Sequence, residues 1–335
     1  MSAPRPATPV LTVCTVVTTE GAPVERWVQA LRDQLVTPRD LEVVIVDATP
    51  DGGLRGLDLT GLPDARVVRG KPDAPRAELL DLAWRTGTAR GVGFLSAEDV
   101  PSPGWTEVVA RSLARGRRVI TGAWLPISDD ASGFGAGSFR IWATEHEVPI
   151  MAADNLACLR ADLEAVGGFG GASSVGAITD DGGITDDRMT DDERDTRLVA
   201  RLVDAGVDPL WVPAYVLHDV DPTLSARDML AARARVRPAL RVLADHPRAR
   251  ARLLLGGLIW NRRHAFTLLL LVGLALARRD RRLLILLGAP WVHERTCKTP
   301  RAGGPRRRWA VLPGVLLFDV YDAVTTLVAR LRPRA

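Results

Sequence analysis

Cysteine is scarce, and its placement excludes a class of site. Cys14, Cys158 and Cys297 are the only three in 335 residues, and none stands in a CxxC spacing. Neither a cysteine zinc site nor a disulfide framework is encoded, and a reducing compartment is expected. Histidine is thin as well: His146-Glu147 and His293-Glu294 lack the second histidine of HExxH, so no protease of that type is implied. The glycine-rich GFGAG of Gly133 to Gly137 has neither GxGxxG spacing nor a preceding strand and reads as a loop. No repeat of solenoid length occurs. Long apolar runs are missing too. The longest, Ala265 to Ala277, has 13 residues, which as a helix covers about 20 Å of a bilayer core near 30 Å. The opening MSAPRPATP carries no apolar signal core, so the protein is expected on the cytoplasmic side.

What is present is a folded chain, 47% hydrophobic and 25% charged, long enough for two domains. Its net charge of +4 is unevenly spread: residues 1–235 hold 24 basic and 35 acidic side chains, and the remaining 100 hold 20 and 5. A body near −11 is thus joined to a tail near +15, which points to an anionic surface met by the tail.

In chain order, Val10 to Val17 (VLTVCTVV) is an apolar, β-branched run suited to a strand buried on both faces, with Thr18 opening the loop after it. Val24, Trp27, Val28, Leu31 and Leu35 follow at helical spacing, with Pro23 at the helix start. Leu41 to Val46 is a second strand ending in Asp47, whose carboxylate can accept hydrogen bonds from a nucleotide, or else serve a plain turn in DATPDGG. Arg66 to Val68 is a third strand, and Ala77 to Arg85 a helix with Leu80, Ala83 and Trp84 turned inward. This alternation predicts a parallel sheet with right-handed crossovers.

The stretch GVGFLSAEDVPSPGW, Gly91 to Trp105, is the centre of the pattern. Val92, Phe94 and Leu95 form a short buried strand, and Glu98 and Asp99 stand just past its carboxyl end, where ligands bind in open α/β sheets. Two carboxylates there can hold a divalent cation that bridges to phosphates, or can simply be solvated turn residues.

These motifs, in this order, resemble the family-2 glycosyltransferases of the GT-A fold over roughly residues 10 to 222. VLTVCTVVTT is similar to the family's opening strand, LEVVIVDATPDGG to its nucleotide-binding strand and loop, and GFLSAEDVPSPGW to its metal-motif strand. NLACLRADLEAVGGF (Asn155 to Phe169) resembles the segment leading to the acceptor site, ERDTRLVARLVDAG (Glu193 to Gly206) the helix carrying the base, and LWVPAYVLHD the closing strand with its histidine.

The resemblance implies an α/β GT-A fold, Rossmann-like with a mixed sheet, and an inverting transfer of sugar from a nucleotide-diphosphate donor to a hydroxyl acceptor. It assigns Asp195 as catalytic base, Thr18, Asp47, Arg76, Ser96 and Glu98 to the donor, and Glu98, Asp99 and His218 to a divalent cation, Mn or Mg. Two positions depart from the family pattern. Ser96 stands where the first acid of the DxD motif would be, and Arg194 replaces an acid that often precedes the base. The other class of reading is a catalytically silent sugar-nucleotide or envelope-binding protein, motivated by Ser96.

Residues 170–194 repeat ITDD, ITDD and MTDD and read as an acidic loop over the site; the spacing does not match a calcium loop. Beyond Pro222, Ala226 to Arg252 reads as a helical stretch. Apolar runs punctuated by NRRH and RRDRR follow, and Pro313 to Arg330 sets Leu317, Val320, Tyr321, Val324 and Val328 opposite Asp319, Asp322 and Arg330. In-plane or re-entrant helices at an inner membrane face are expected, with Trp260 and Trp291 at the interface; a soluble helical subdomain is the alternative. Leucine runs rather than stacking residues between the cations argue against nucleic acid. The expected division is a tail at 1–9, a nucleotide-sugar half at 10–122, an acceptor half at 123–222 and a basic helical region at 223–335. A lipid-linked or cell-envelope acceptor and a peripheral or monotopic place on the cytoplasmic face complete the expectation.

Overall fold

A computed structural model describes residues 9–20, 23–34, 41–62, 64–126, 153–170, 189–218, 236–255, 262–297 and 305–331. The chain divides into two compact units, residues 1–125 with 150–218, and residues 126–149 with 219–335.

The first unit is built on an eight-stranded sheet in the order β3-β2-β1-β4-β7-β6-β8-β5. Its parallel half is β1 (Leu11–Val17), β2 (Leu41–Asp47), β3 (Asp64–Arg69) and β4 (Gly91–Leu95). The β-branched runs of β1 and β2 are buried almost throughout, because helices and loops cover both faces of a parallel sheet. The other half is β5 (Val100–Pro101), β6 (Val119–Pro126), β7 (Asn155–Leu159) and β8 (Pro209–His218). Here β7 runs antiparallel to both β4 and β6, and β5 antiparallel to β8. The βαβ alternation that predicts parallel pairing therefore ends at β4.

Helix α1 (Val24–Arg32) buries Val24, Trp27, Val28 and Leu31, as its spacing predicts, while Leu35 lies outside the described residues. Helix α2 (Arg76–Thr86) buries Ala77, Leu79, Leu80, Ala83 and Trp84. Helix α3 (Trp105–Ala114) buries Trp105, whose indole N–H donates to Asn155 Oδ1 at 2.9 Å. The Asn155 amide in turn donates to the Ala214 carbonyl at 2.9 Å, and Gly122 packs so closely there that any Cβ would strike both groups. Side-chain polarity thus fastens β7 to α3 and β8.

Helix α4 (Arg160–Val166) ends in a Gly167-Gly168-Phe169 turn. Asp81 of α2 accepts the Phe169 N–H at 2.9 Å and the Gly170 N–H at 3.1 Å, and Phe169 meets Phe94 edge-on. Gly168 adopts a φ of 71° with Asp81 against it, so a side chain there would be both strained and obstructed. Helix α5 (Asp191–Asp204) buries Leu198 and Leu202, but Ala205 only caps it and is exposed.

The acidic segment expected as loop to residue 194 becomes helix at Asp191. Thr190 and Glu193 form a reciprocal capping box, with Glu193 N–H donating to Thr190 Oγ1 at 3.3 Å and Thr190 N–H to Glu193 Oε2 at 2.8 Å. Three acids in the first turn also suit the positive end of the helix dipole. The two ITDD repeats lie outside the described residues, as does GFGAG.

The second unit is helical: α6 (Val236–Asp245), α7 (Pro247–Leu253), α8 (Arg262–Leu276), α9 (Arg281–Cys297) and α10 (Pro305–Leu331). The single stretch expected to Arg252 is broken at His246, since Pro247 cannot continue the preceding helix and starts a new one. An ion pair between Arg295 and Asp319 is buried between α9 and α10, and Asp319 also accepts the Trp291 indole N–H at 2.8 Å. His264 Nε2 lies 3.0 Å from Asp322 Oδ2, and Arg262 Nε donates to Glu294 at 3.1 Å. Leu270, Trp291, Leu312 and Val315 form a small apolar cluster beside these polar pairs.

The α10 stripe separates as its sequence predicts, but Asp319 and Asp322 turn inward while Leu317, 73% exposed, and Val324 turn outward. Among the described residues no helix is long and apolar enough to cross a membrane.

Candidate functional site

The site forms where the parallel strands end. In register, Val17 of β1 lies beside Asp47 of β2, and β4 delivers Ser96 to Asp99 to the same edge. Thr18 follows β1 directly and is exposed.

Asp47 is buried, and its own loop occupies it. Oδ1 accepts the Thr49 hydroxyl at 2.6 Å and the Thr49 N–H at 3.0 Å, Oδ2 accepts the Leu54 N–H at 3.4 Å, and Arg69 lies 3.3 Å away. Burial pushes this carboxyl up, but the Thr49 and Leu54 hydrogen bonds and the Arg69 charge outweigh it and hold the group below its usual range. The turn reading of Asp47 is the one its hydrogen bonds show. The residue shapes the turn, and it does so at the edge expected to receive a donor.

Ser96 organises a second turn. Its N–H donates to the Asp154 carbonyl at 3.3 Å, its carbonyl accepts the Asp99 N–H at 3.3 Å, and its Oγ accepts the Glu98 N–H at 3.2 Å. The turn leaves Glu98 exposed and Asp99 buried, so of the acidic pair Glu98 is the one presented to solvent. The departure at Ser96 acquires a local role, because a serine oxygen closes a turn that a charged carboxylate would close with its charge spent on the backbone.

The third component is an ionic cluster. Arg76, the first residue of α2, directs Nη1 to Asp195 Oδ2 at 3.1 Å and Nη2 to the Asp154 carboxylate. Asp195 Oδ2 also accepts the Ala153 N–H at 2.8 Å, and only 2% of the residue is exposed. Burial pushes the Asp195 carboxyl up, Arg76 opposes this, Asp154 adds to it, and the balance stands at about 6. The acids around Arg76, Asp154 and Asp195 foremost, more than offset the effect of burial and keep the guanidinium charged.

A carboxylate buried beside one cation, with its pKa near neutrality, has the properties of a general base: deprotonated at pH 7 and basic enough to take a hydroxyl proton. Asp154 is the member of this cluster that sequence reading misses. It precedes β7 with no periodic pattern around it, and only the tertiary fold brings it to Arg76.

His218 is the last residue of β8, and its side chain lies outside the described residues. Among the described residues no three His, Cys, Asp or Glu side chains gather into a metal cage. The donor set does fit a hard cation shared with a ligand's phosphates, which asks of the protein only one or two carboxylates, and the exposed Glu98 supplies one. Cys14 and Cys158 flank β4, buried and with thiols pushed up by burial, which removes them from nucleophilic chemistry.

No protein-family model matches the chain. No curated protein matches it in sequence. Among solved structures it is similar to the mannosyltransferase PcManGT from Pyrobaculum calidifontis, determined with GDP-Man and Mn2+, at 17% identity and a TM-score of 0.52, over 98% of this chain and 87% of that one. A looser likeness is to S. aureus TarS, determined in complex with UDP-GlcNAc, at 12% identity and a TM-score of 0.46, over 96% and 90% of the two chains. The architecture is thus a GT-A-like glycosyltransferase fold, a mixed α/β sheet unit followed by a helical region.

Proposed function

We propose that the protein is an inverting glycosyltransferase that moves a sugar from a nucleoside-diphosphate donor to a hydroxyl acceptor. The observation that carries this reading is the buried Asp195 with its carboxyl pushed up to about 6, set beside Arg76 and Asp154 at the carboxyl edge of the parallel strands. A glycosyltransferase of this fold, solved with GDP-Man and Mn2+, supports it from outside the chain.

In the proposed reaction Asp195 takes the proton of the acceptor hydroxyl as that oxygen attacks the anomeric carbon. The bond to the donor diphosphate breaks on the opposite face, so one displacement inverts the configuration. Arg76 binds the donor on the diphosphate side, Thr18 and Asp47 meet the nucleoside, and the Ser96 turn holds Glu98 toward the phosphates. A divalent cation, Mn or Mg, held by Glu98 with Asp99 and His218 near it, would neutralise the leaving diphosphate. The acceptor is lipid-linked or cell-envelope material at the cytoplasmic face of a membrane, which suits the split between an acidic body and a basic tail.

Ser96 also favours a second reading, a silent sugar-nucleotide binder, since its hydroxyl brings no charge to a cation. One experiment separates the two. Thermal shifts with UDP, GDP and TDP, with and without manganese, identify the nucleotide, and the matching sugar donors are then followed for release of nucleoside diphosphate with added membrane lipid. Release that disappears in Asp195→Asn while the thermal shift persists is the expected result. A shift without release in the native protein supports the silent binder.

A further inference from the structure

The helical unit buries a set of polar pairs beside its apolar cluster and leaves several large apolar side chains exposed. Arg295 and Asp319 are buried as a pair, and His264, Asp322 and Glu294 are buried around them. Outward, Ile285 is 72% exposed, Leu286 68% and Leu317 73%, with Val272 and Val324 close to half exposed. These residues are not scattered. On α9, Arg282, Ile285, Leu286 and Ala289 recur at three- and four-residue spacing and share one face, opposite buried Trp291. On α10, Leu317 and Val324 lie seven residues apart, opposite the inward Asp319 and Asp322.

A helix unit surrounded only by water rarely leaves isoleucine and leucine side chains about 70% exposed side by side, as Ile285 and Leu286 are here. An exposed apolar patch of this kind suits an apolar surrounding, and the polar groups beneath it are already satisfied by one another.

The turn between α8 and α9 names the surrounding. Arg278, Arg279, Arg281 and Arg282 are all exposed there, within two turns of Val272, Ile285 and Leu286, with Asp280 the one acid among them. Four cations beside an apolar face are complementary to lipid phosphates over acyl chains, and they disfavour a second copy of the same positive surface. Orientation follows from length. The 15 residues of α8 reach about 23 Å, and insertion tip-first would carry four arginines into hydrocarbon, at a cost of a few kcal/mol each.

We infer that the outward faces of α8, α9 and α10 form a lipid-binding surface that lies in the plane of an anionic bilayer, with Arg278, Arg279, Arg281 and Arg282 at the phosphates. The inference rests on the membrane reading of the acceptor and adds the residues, the orientation and the lipid charge.

The test is flotation of the full chain with vesicles of neutral phosphatidylcholine alone or with phosphatidylglycerol, at low and high salt. The native protein floats with the acidic vesicles at low salt, and less at high salt. Replacing the four arginines by glutamine weakens this by about fivefold per arginine at low salt and far less at high salt. Ile285→Glu with Leu286→Glu weakens it by about a hundredfold at either salt, and Leu317→Glu repeats the loss from another helix. Far-UV circular dichroism and the nucleotide thermal shift are recorded on every variant, so a misfolded protein is recognised.

A native chain that stays in the aqueous fraction with acidic vesicles at low salt overturns the inference. So do glutamate variants that float like the native protein, or ones that change the oligomeric state while flotation is unaltered. The transferase reading is judged separately by the thermal shift: flotation without a nucleotide shift sinks that reading and leaves the surface standing, and a shift without flotation does the reverse.

Discussion

The two units draw on similar amounts of leucine and arginine but differ in how much apolar surface the described residues leave exposed. In the sheet unit Trp27, Trp84, Trp105 and Phe94 are fully buried, and most of the paired charges gather at strand ends and helix starts. In the helical unit Arg295, Asp319 and Glu294 are interior beside Trp291, and Ile285, Leu286 and Leu317 stand exposed. Amphipathic spacing alone tells which residues share a face. Which way the face looks is decided by what surrounds the helix, and the same pattern that buries Val24, Trp27 and Val28 in α1 exposes Leu317 and Val324 in α10.

The largest effect expected from disturbing this contrast is catalytic and belongs to the sheet unit. Asp195→Asn lowers turnover by about a hundred- to ten-thousandfold, the range for loss of a general base, while nucleotide binding persists. In its proposed role Asp195 must be unprotonated, so turnover in the native protein is expected to fall as pH drops through about 6. Arg76 holds the Asp195 carboxyl down against burial, so in Arg76→Met that acid limb moves to higher pH; a limb that stays in place would separate Arg76 from the base.

Next comes the interior of the helical unit. Asp319→Leu leaves Arg295 buried without its partner and costs about 3–5 kcal/mol, whereas replacing both, Arg295→Met with Asp319→Leu, is near neutral or stabilising. Chemical denaturation of the three proteins reads this directly. Equal losses in the single and double variants would mean that the interior depends on the charge pair itself.

The sheet unit has a buried carboxylate of its own as a counterpart. Glu42 accepts the Thr12 hydroxyl at 2.6 Å and the Thr88 N–H at 2.7 Å, and pairs with Arg66. Burial raises its pKa, but these bonds outweigh burial and the net shift is downward. A lowered folded-state pKa gives stability that is present above the ordinary carboxylate range and is lost as pH falls through the folded value. Glu42→Gln is expected to cost about 1–3 kcal/mol at pH 7 and to flatten the acid side of the stability curve. The smallest effect is Thr190→Ala, which removes one side of the capping box for about 1 kcal/mol, measured as a drop in melting temperature with turnover little changed.

Much of the parallel half of the sheet is legible in the chain because strands buried on both faces need unbroken runs such as LTVCTVV and LEVVIVD, and few other structures do. The start of α5 is misread as loop: Thr190 and Glu193 stand three apart in MTDDE, as a capping box requires, but the repeated acids mask that signal. Asp154 was not legible. Its partner Arg76 is 78 residues away, and no local pattern distinguishes it from a solvated acid. The antiparallel run of β7 is likewise invisible in NLACL, because direction depends on which strand it pairs with. For α10 the stripe was readable and its outward direction was not, for the reason that separates the two units.

Arg201 draws these points together at a distance from the chemistry. From α5 it donates to the carbonyls of Val166, Gly168 and Phe169, at 2.9, 2.6 and 3.0 Å, gripping the turn that Asp81 of α2 holds from the other side. Asp81 is five residues beyond Arg76, and Arg201 six beyond Asp195. The helices of Arg76 and Asp195 are therefore clamped twice, once by their own ion pair and once through this turn, as two rails joined by two rungs. A frame of that kind transmits displacement. Gly168→Ala, with no atom in reach of a substrate, would pry the far rung apart and swing the Asp195 carboxylate out of line.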